Sequence, residues 1–191
     1  MSKPFVQSKF ERKENDDYQT IDQRCVQGLI EKWTIPKNEI VDCCASHGSG
    51  IVSSLNEFGY NATGCKDAFV EKINAKWVIT NPPYKKKLVD EILWKQIERI
   101  NSGEIIGFAA LLRAQFDYAK GRESMFSANP LYSGQVKLCF RPIWEEPIPG
   151  EKKVEPIHNY LWHIWSNARD EDSEPVTRYW YENKKKKKSG E

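Results

Sequence analysis

Asn81-Pro82-Pro83-Tyr84 directly follows the apolar run Ala75–Thr80 (AKWVIT). Two prolines fix two φ angles and remove two N–H donors, so this stretch is rigid and offers only backbone acceptors. The acceptors are the Asn81 side-chain oxygen and the Pro82 carbonyl, and Tyr84 adds a flat aromatic face. The pattern suits a planar substrate that carries an NH₂ group. An amine on an aromatic ring is a poor nucleophile because its lone pair is delocalised. Two acceptors that grip its hydrogens favour the localised, nucleophilic geometry, while the aromatic face holds the ring by stacking. No metal, thiol nucleophile or strong base is required. With Pro at about 5% of residues, chance produces this tetrapeptide in well under about one such chain in a hundred. A simple strand-terminating turn is the alternative reading.

The chemistry needs elements to position it, and the chain supplies them. Apolar residues at Val26, Leu29, Ile30 and Trp33 have helical spacing, with Thr20 or Asp22 as N-cap and Pro36 as terminator. Glu39–Cys44 (EIVDCC) reads as a buried strand, followed by a glycine-containing turn, Ser46–Gly50. Ile51, Leu55 and Phe58 mark a helix closed by Gly59, and Asn61–Cys65 reads as a second strand. After Ala75–Thr80, helical spacing resumes from Leu88 to Ile100 and stops at Gly103. Glu104–Leu112, Gln135–Phe140, Asn159–Trp165 and Arg178–Tyr181 are further strands. Strands alternating with helices predict an α/β fold with a mostly parallel sheet. Ligands of such sheets sit at the carboxyl ends of the strands, where the turns at 45–50 and 81–84 fall.

Composition sets the outer bounds. The 191 residues are 39% hydrophobic and 29% charged, which fits one globular domain, expected over 18–182. Residues 1–17 read as a flexible arm and 183–191 as a basic disordered tail carrying the run Lys184–Lys188. Net charge is +2, so without that run the body is nearly neutral, and affinity for nucleic acid must come from the tail or from local patches. No apolar stretch is long enough to span a membrane, and no secretory leader is evident, so the expected location is cytoplasmic. The five Cys (25, 43, 44, 65 and 139) read as mostly buried thiols, and the three His show no metal-ligand spacing, so no metal is expected. His163, between Trp162 and Ile164, reads as structural.

Asn-Pro-Pro-Tyr after an apolar strand resembles the catalytic motif of S-adenosylmethionine-dependent amino methyltransferases, which include DNA adenine-N6 and cytosine-N4 enzymes. Tyr18-Gln19-Thr20 is similar to the Tyr-x-Thr segment of the phage-type adenine methyltransferases, and Ile40–Gly50 (IVDCCASHGSG) resembles their cofactor loop. Leu111-Leu112-Arg113, Arg141–Trp144 and Asn159–Trp165 fall in family order, so the likeness runs from Tyr18 to Tyr181. Asn-Pro-Pro-Tyr is its one highly specific element.

The resemblance implies a Rossmann-like class I methyltransferase fold with helices on both faces of the sheet. The short segment between Gly50 and Asn81 suggests that one strand–helix unit is reduced or missing. It further implies S-adenosyl-L-methionine as cofactor and DNA, or RNA, as partner. Asn81, Pro82, Pro83 and Tyr84 then form the catalytic loop. Thr20, Asp42, Ser46, Gly48 and Asp67 hold the cofactor. Tyr84, Trp144 and Lys85 contact the substrate, Lys85 with Lys86 and Lys87 at a phosphate. Each of the weaker candidates also has a plain reading: Thr20 as a helix cap, Asp67 as a surface charge, Trp144 as core and the lysines as a solvated helix start. The chain departs from the family pattern at Ser46, where Gly is usual, near His47, where an acidic residue is common, and at Lys66, where an acid normally ends the second strand. Two alternatives to methylation of a nucleic-acid base therefore stand. One is a protein glutamine N5-methyltransferase, since a glutamine amide is also a planar NH₂. The other is a methyltransferase-like binding protein without cofactor affinity.

Overall fold

The computed structural model describes residues 20–45, 49–144, 157–168 and 174–182. The expected arm over 1–17, the cofactor-loop candidates Ser46 and Gly48, and the lysine tail lie outside the described residues.

Among the described residues seven strands form one sheet: β1 (Ile40–Asp42), β2 (Ala62–Gly64), β3 (Trp77–Thr80), β4 (Gly107–Arg113), β5 (Tyr132–Leu138), β6 (Tyr160–Ser166) and β7 (Val176–Trp180). Their order is β2-β1-β3-β4-β6-β5-β7. β2, β1, β3 and β4 are mutually parallel; β6 runs antiparallel to both β4 and β5, and β7 is parallel to β5. Of these seven, only β6 opposes the common direction, which matches the mostly parallel sheet expected.

Helices cover both faces. Helix α1 (Arg24–Lys32) and helix α2 (Gly50–Glu57) bring Val26, Leu29, Ile51 and Leu55 into one core with Ile79, Leu111, Val136 and Trp162. Helix α3 (Lys86–Asn101) packs Val89, Ile92, Leu93 and Ile97 on the opposite face against Val78, Phe108 and Trp165. Strands β3, β4 and β6 are buried on both faces, so their sequences are continuous apolar runs rather than alternations. The architecture is a mixed α/β fold of Rossmann-like arrangement.

The short 50–81 segment leaves the chain an irregular path from β2 to β3. Between β2 and β3 the twelve residues 65–76 contain neither strand nor helix. Arg99 of α3, buried in the core, substitutes for regular hydrogen bonding there. Its guanidinium donates to the carbonyls of Ala68 and Val70 and to Gln96 Oε1, and pairs with Glu104. Gln96 Nε2 donates to Ala68 O as well (3.1 Å). The crossover thus keeps its backbone satisfied without a helix.

Some local expectations change. Thr20 does not cap α1: the N-cap is Gln23 without a side-chain bond, and Asp22 Oδ1 accepts from the Arg24 N–H instead (3.2 Å). The helix ends at Lys32, before Pro36. Cys25 and Cys43 are buried, but Cys44 and Cys65 are only partly so and Cys139 is exposed; all five are free thiols. No helix of the described residues is long and apolar enough to cross a membrane.

Candidate active site

Because β2, β1, β3 and β4 are parallel, their carboxyl ends lie along one edge of the sheet. Strand order reverses between β1 and β3: the chain leaves β1 to form β2 on one side and returns to form β3 on the other. The crevice at such a switch point is where α/β sheets bind ligands. Here it is bordered by Asp42 and the loop after β1, and by Asn81–Tyr84 after β3.

Asp42 is 4% exposed, and its carboxylate ties the crevice together. Oδ1 accepts from Thr80 Oγ1 (2.6 Å) and from the Cys44 N–H (3.0 Å), and Oδ2 accepts from Ser49 Oγ (2.5 Å). Ser49 in turn caps α2, its Oγ accepting from Val52 N–H (3.1 Å). One acid therefore fixes the ends of β1 and β3 and the start of α2. Both carboxylate oxygens of Asp42 are thus engaged with neighbouring protein groups.

Thr20 reaches the same crevice from before α1. Its side chain is buried, and Oγ1 has no hydrogen-bond partner among the described residues. Gly50 explains the approach: a Cβ there would run into the Thr20 carbonyl, so only glycine lets this segment lie against the first turn of α2. A buried hydroxyl without a partner is costly unless something supplies one. Asp67, past the end of β2, is exposed and closes its own turn by accepting from Phe69 N–H (2.8 Å).

On the far side of the crevice, Asn81 is 7% exposed and Pro82 is buried, while Pro83 and Tyr84 are half-buried. The Tyr84 hydroxyl lies 2.7 Å from Asn81 Oδ1 and 2.8 Å from the Leu111 carbonyl oxygen. One O–H donates to one acceptor at a time. The phenol is therefore shared between Asn81 Oδ1 and the Leu111 carbonyl. Leu111 is available because β4 continues past the last β3 pairing, Thr80 with Ala110. Tyr84 thus anchors the amide of Asn81 to the end of β4. Burial raises the Tyr84 phenol well above its ordinary pKa, so it stays protonated.

No protein-family model matches the chain, and no curated protein sequence matches it.

The Tyr84 ring meets Tyr160 edge-on (centroids 5.9 Å, 62°), and Tyr160 meets Trp144 (4.7 Å, 67°). Trp144 therefore belongs to the same aromatic cluster as the catalytic-loop candidate, although 60 positions separate them. Tyr160, which bridges the two, was not among the sequence candidates; its place at the start of a strand beside Trp162 gave it the look of core. Lys85 is exposed and is the N-cap of α3; Lys87, also exposed, lies in the first turn, which holds no acid. Cations at the positive end of a helix oppose its dipole, and Glu91, one turn on, lies 3.7 Å from the Lys87 ammonium. His163 is structural as expected: it is fully buried, with Nδ1 2.8 Å from the Tyr132 hydroxyl, and burial lowers its pKa to about 3. A surface depression lined by Glu71, Lys72 and Ser102–Glu104 lies on the α3 and crossover side, apart from these residues.

Proposed function

We propose that this chain is an S-adenosylmethionine-dependent methyltransferase acting on an exocyclic amine of a nucleic-acid base, with adenine N6 in DNA as the first candidate. The observation that carries the reading is the convergence of a rigid Asn-Pro-Pro-Tyr loop with the Asp42–Ser49–Thr20 cluster across the switch-point crevice. The sheet is broadly compatible with a methyltransferase-like architecture of the class I kind, lacking one strand–helix unit after β2.

The residues present fit the cofactor. Thr20 Oγ1, buried and without a partner among the described residues, suits the carboxylate of a bound amino acid. Asp42 fixes Ser49 at the start of α2, and the exposed Asp67 past the end of β2 is the remaining acidic candidate. Bound adenosylmethionine supplies an electrophilic methyl group on its sulfonium. The chain's own part is to hold and activate the acceptor. Asn81 Oδ1 and the Pro82 carbonyl accept from the two amine hydrogens and favour tetrahedral nitrogen. Tyr84 fixes the Asn81 amide through its hydroxyl and offers its ring, with Trp144 and Tyr160, as the wall on which the base stacks. Lys85 and Lys87 sit where a phosphate near that base is neutralised.

The test is transfer of a tritiated methyl group to DNA, to RNA and to a mixed protein extract in parallel, with calorimetric titration of the cofactor. Label in nucleic acid supports the proposal. Label confined to protein favours the glutamine reading, and no binding of adenosylmethionine would refute an enzyme of this class.

A further inference from the structure

Arg113 ends β4 at the same sheet edge as Asn81–Tyr84. Its surroundings differ from those of the other arginines embedded in the fold. Arg24 pairs with Asp22, Arg99 with Glu104 and Arg122 with Asp90. Arg113 takes part in none of the ion pairs among the described residues. Its Nε is buried and has no hydrogen-bond partner among them. The guanidinium instead lies over the Tyr84 ring, 5.3 Å from the centroid. A guanidinium is donor-only and always charged, so a half-buried one with a donor left over is a ready partner for a carboxylate or phosphate.

Strand order says on which side of the loop Arg113 lies. The crevice lies between β1 and β3, with Asp42 and Thr20 on the β1 side. Arg113 is on β4, beyond Asn81–Tyr84, and its paired neighbour across the sheet is Tyr160 on β6. It is therefore on the acceptor side of the loop, next to the aromatic cluster of Tyr84, Tyr160 and Trp144. The anion that accompanies a base at such a position is the phosphodiester of its own strand. An amide side chain in a protein carries no obligatory anion.

We propose that Arg113 recognises a backbone phosphate of the nucleic acid whose base enters the Tyr84–Trp144 site. The proposal rests on the methyltransferase reading and deepens it: the acceptor is a nucleotide in a strand, not a free base and not a protein amide.

The experiment is fluorescence anisotropy with labelled mixed-sequence 30-mers, single- and double-stranded, titrated at several salt concentrations with wild type, Arg113→Lys and Arg113→Gln. Thermal melts and calorimetric titration of adenosylmethionine accompany it. Arg113→Gln is expected to weaken DNA binding about tenfold or more. It should also reduce the slope of log K against log[salt] by about 0.9 on duplex or 0.7 on single strands. Arg113→Lys is expected to keep the slope, because the charge remains, and to recover part of the affinity. Cofactor affinity should not fall in either variant, since Arg113 lies on the acceptor side of the loop, and the melts verify folding, with at most a small drop in Arg113→Gln from the lost guanidinium–Tyr84 contact. An unchanged salt slope in a folded Arg113→Gln protein would overturn the proposal while leaving the methyltransferase reading standing. Wild type that binds the cofactor yet neither binds nor methylates any nucleic acid would overturn the choice of acceptor and this proposal with it.

Discussion

Replacing Tyr84 by Phe isolates one atom of the proposed mechanism. The ring survives, and with it the edge contact to Tyr160 and the position under Arg113. What goes is the hydroxyl that meets both Asn81 and the Leu111 carbonyl. Leu111 is fully buried and Asn81 nearly so, and water does not readily replace the hydroxyl at either. An unsatisfied buried acceptor costs about 1–3 kcal/mol. For a domain of this size that lowers the melting temperature by roughly 2–4 °C per kcal/mol, so about 5 °C is expected. Turnover should fall further than binding. Without the phenol the Asn81 amide loses one restraint of about 1–1.5 kcal/mol, equivalent to roughly 5–10-fold in the methyl-transfer step. Asn81→Ala removes the gripping group itself and should cost about 100–1000-fold, as loss of other preorganised hydrogen-bonding groups does. Because that grip is strongest as the nitrogen becomes tetrahedral, acceptor affinity should change little in either variant. Tyr84→Ala should weaken acceptor binding too, by roughly 1–3 kcal/mol of stacking. The assay is single-turnover transfer of tritiated methyl at varied acceptor concentration, paired with thermal melts. Wild-type turnover and an unshifted melt in Tyr84→Phe would refute the claim that this hydroxyl organises Asn81.

Three further predictions concern the cofactor, a buried histidine and the tail. At 100 times its dissociation constant adenosylmethionine should stabilise the protein by about 2.7 kcal/mol. Thr20→Val should reduce cofactor affinity by roughly 10–100-fold without lowering the ligand-free melt, because Oγ1 has no partner among the described residues to lose. An unchanged calorimetric affinity would remove Thr20 from the site. Burial lowers the pKa of His163 to about 3, so below its ordinary value near 6.5 the unfolded chain takes up a proton that the folded protein does not. That contribution is present above pH 6.5 and is lost as pH falls towards 3, by about 2 kcal/mol at pH 5. Denaturant unfolding at about pH 7.5 and 5 should show a smaller loss of stability in His163→Phe; equal losses would contradict a neutral buried imidazole. Deleting residues 184–191 should flatten the salt dependence of DNA binding, by about 0.9 in log–log slope for each duplex phosphate that the tail neutralises. Identical slopes would make Lys184–Lys188 a bystander.

The elements were legible where hydrophobic spacing leaves few alternatives. The run Leu88–Ile100 must be a helix that buries one stripe, and Ala75–Thr80 has the length and β-branching of a covered strand, so α3 and β3 appear close to where the spacing places them. Gly59 and Gly103, both with positive φ, end α2 and α3 as local sequence predicts. Of the two cap candidates Thr20 and Asp22, local sequence does not separate them; Asp22, next to the N-cap Gln23, is the one that accepts from the Arg24 N–H. Which of them caps depends on where the preceding chain is held, and here Thr20 lies against Gly50 at the start of α2.

By itself, the sequence determined the chemistry on offer at positions 81–84: two prolines and an asparagine after a strand make a rigid acceptor loop whatever surrounds them. It also limited what can lie between the second and third strands, since so short a segment has no room for another strand and helix. Only the tertiary structure decided what those residues face. Register set β4 beyond the end of β3, and that offset provided the Tyr84 hydroxyl with a carbonyl to hold. Strand order placed β6 beside β4, which brought Tyr160 and Arg113 to the Tyr84 ring and Trp144 to Tyr160 from distant parts of the chain. Hydrophobic periodicity reports which side of an element is buried. It carries no record of which strands are neighbours or how far one slides past another, and those are settled by packing of the whole sheet.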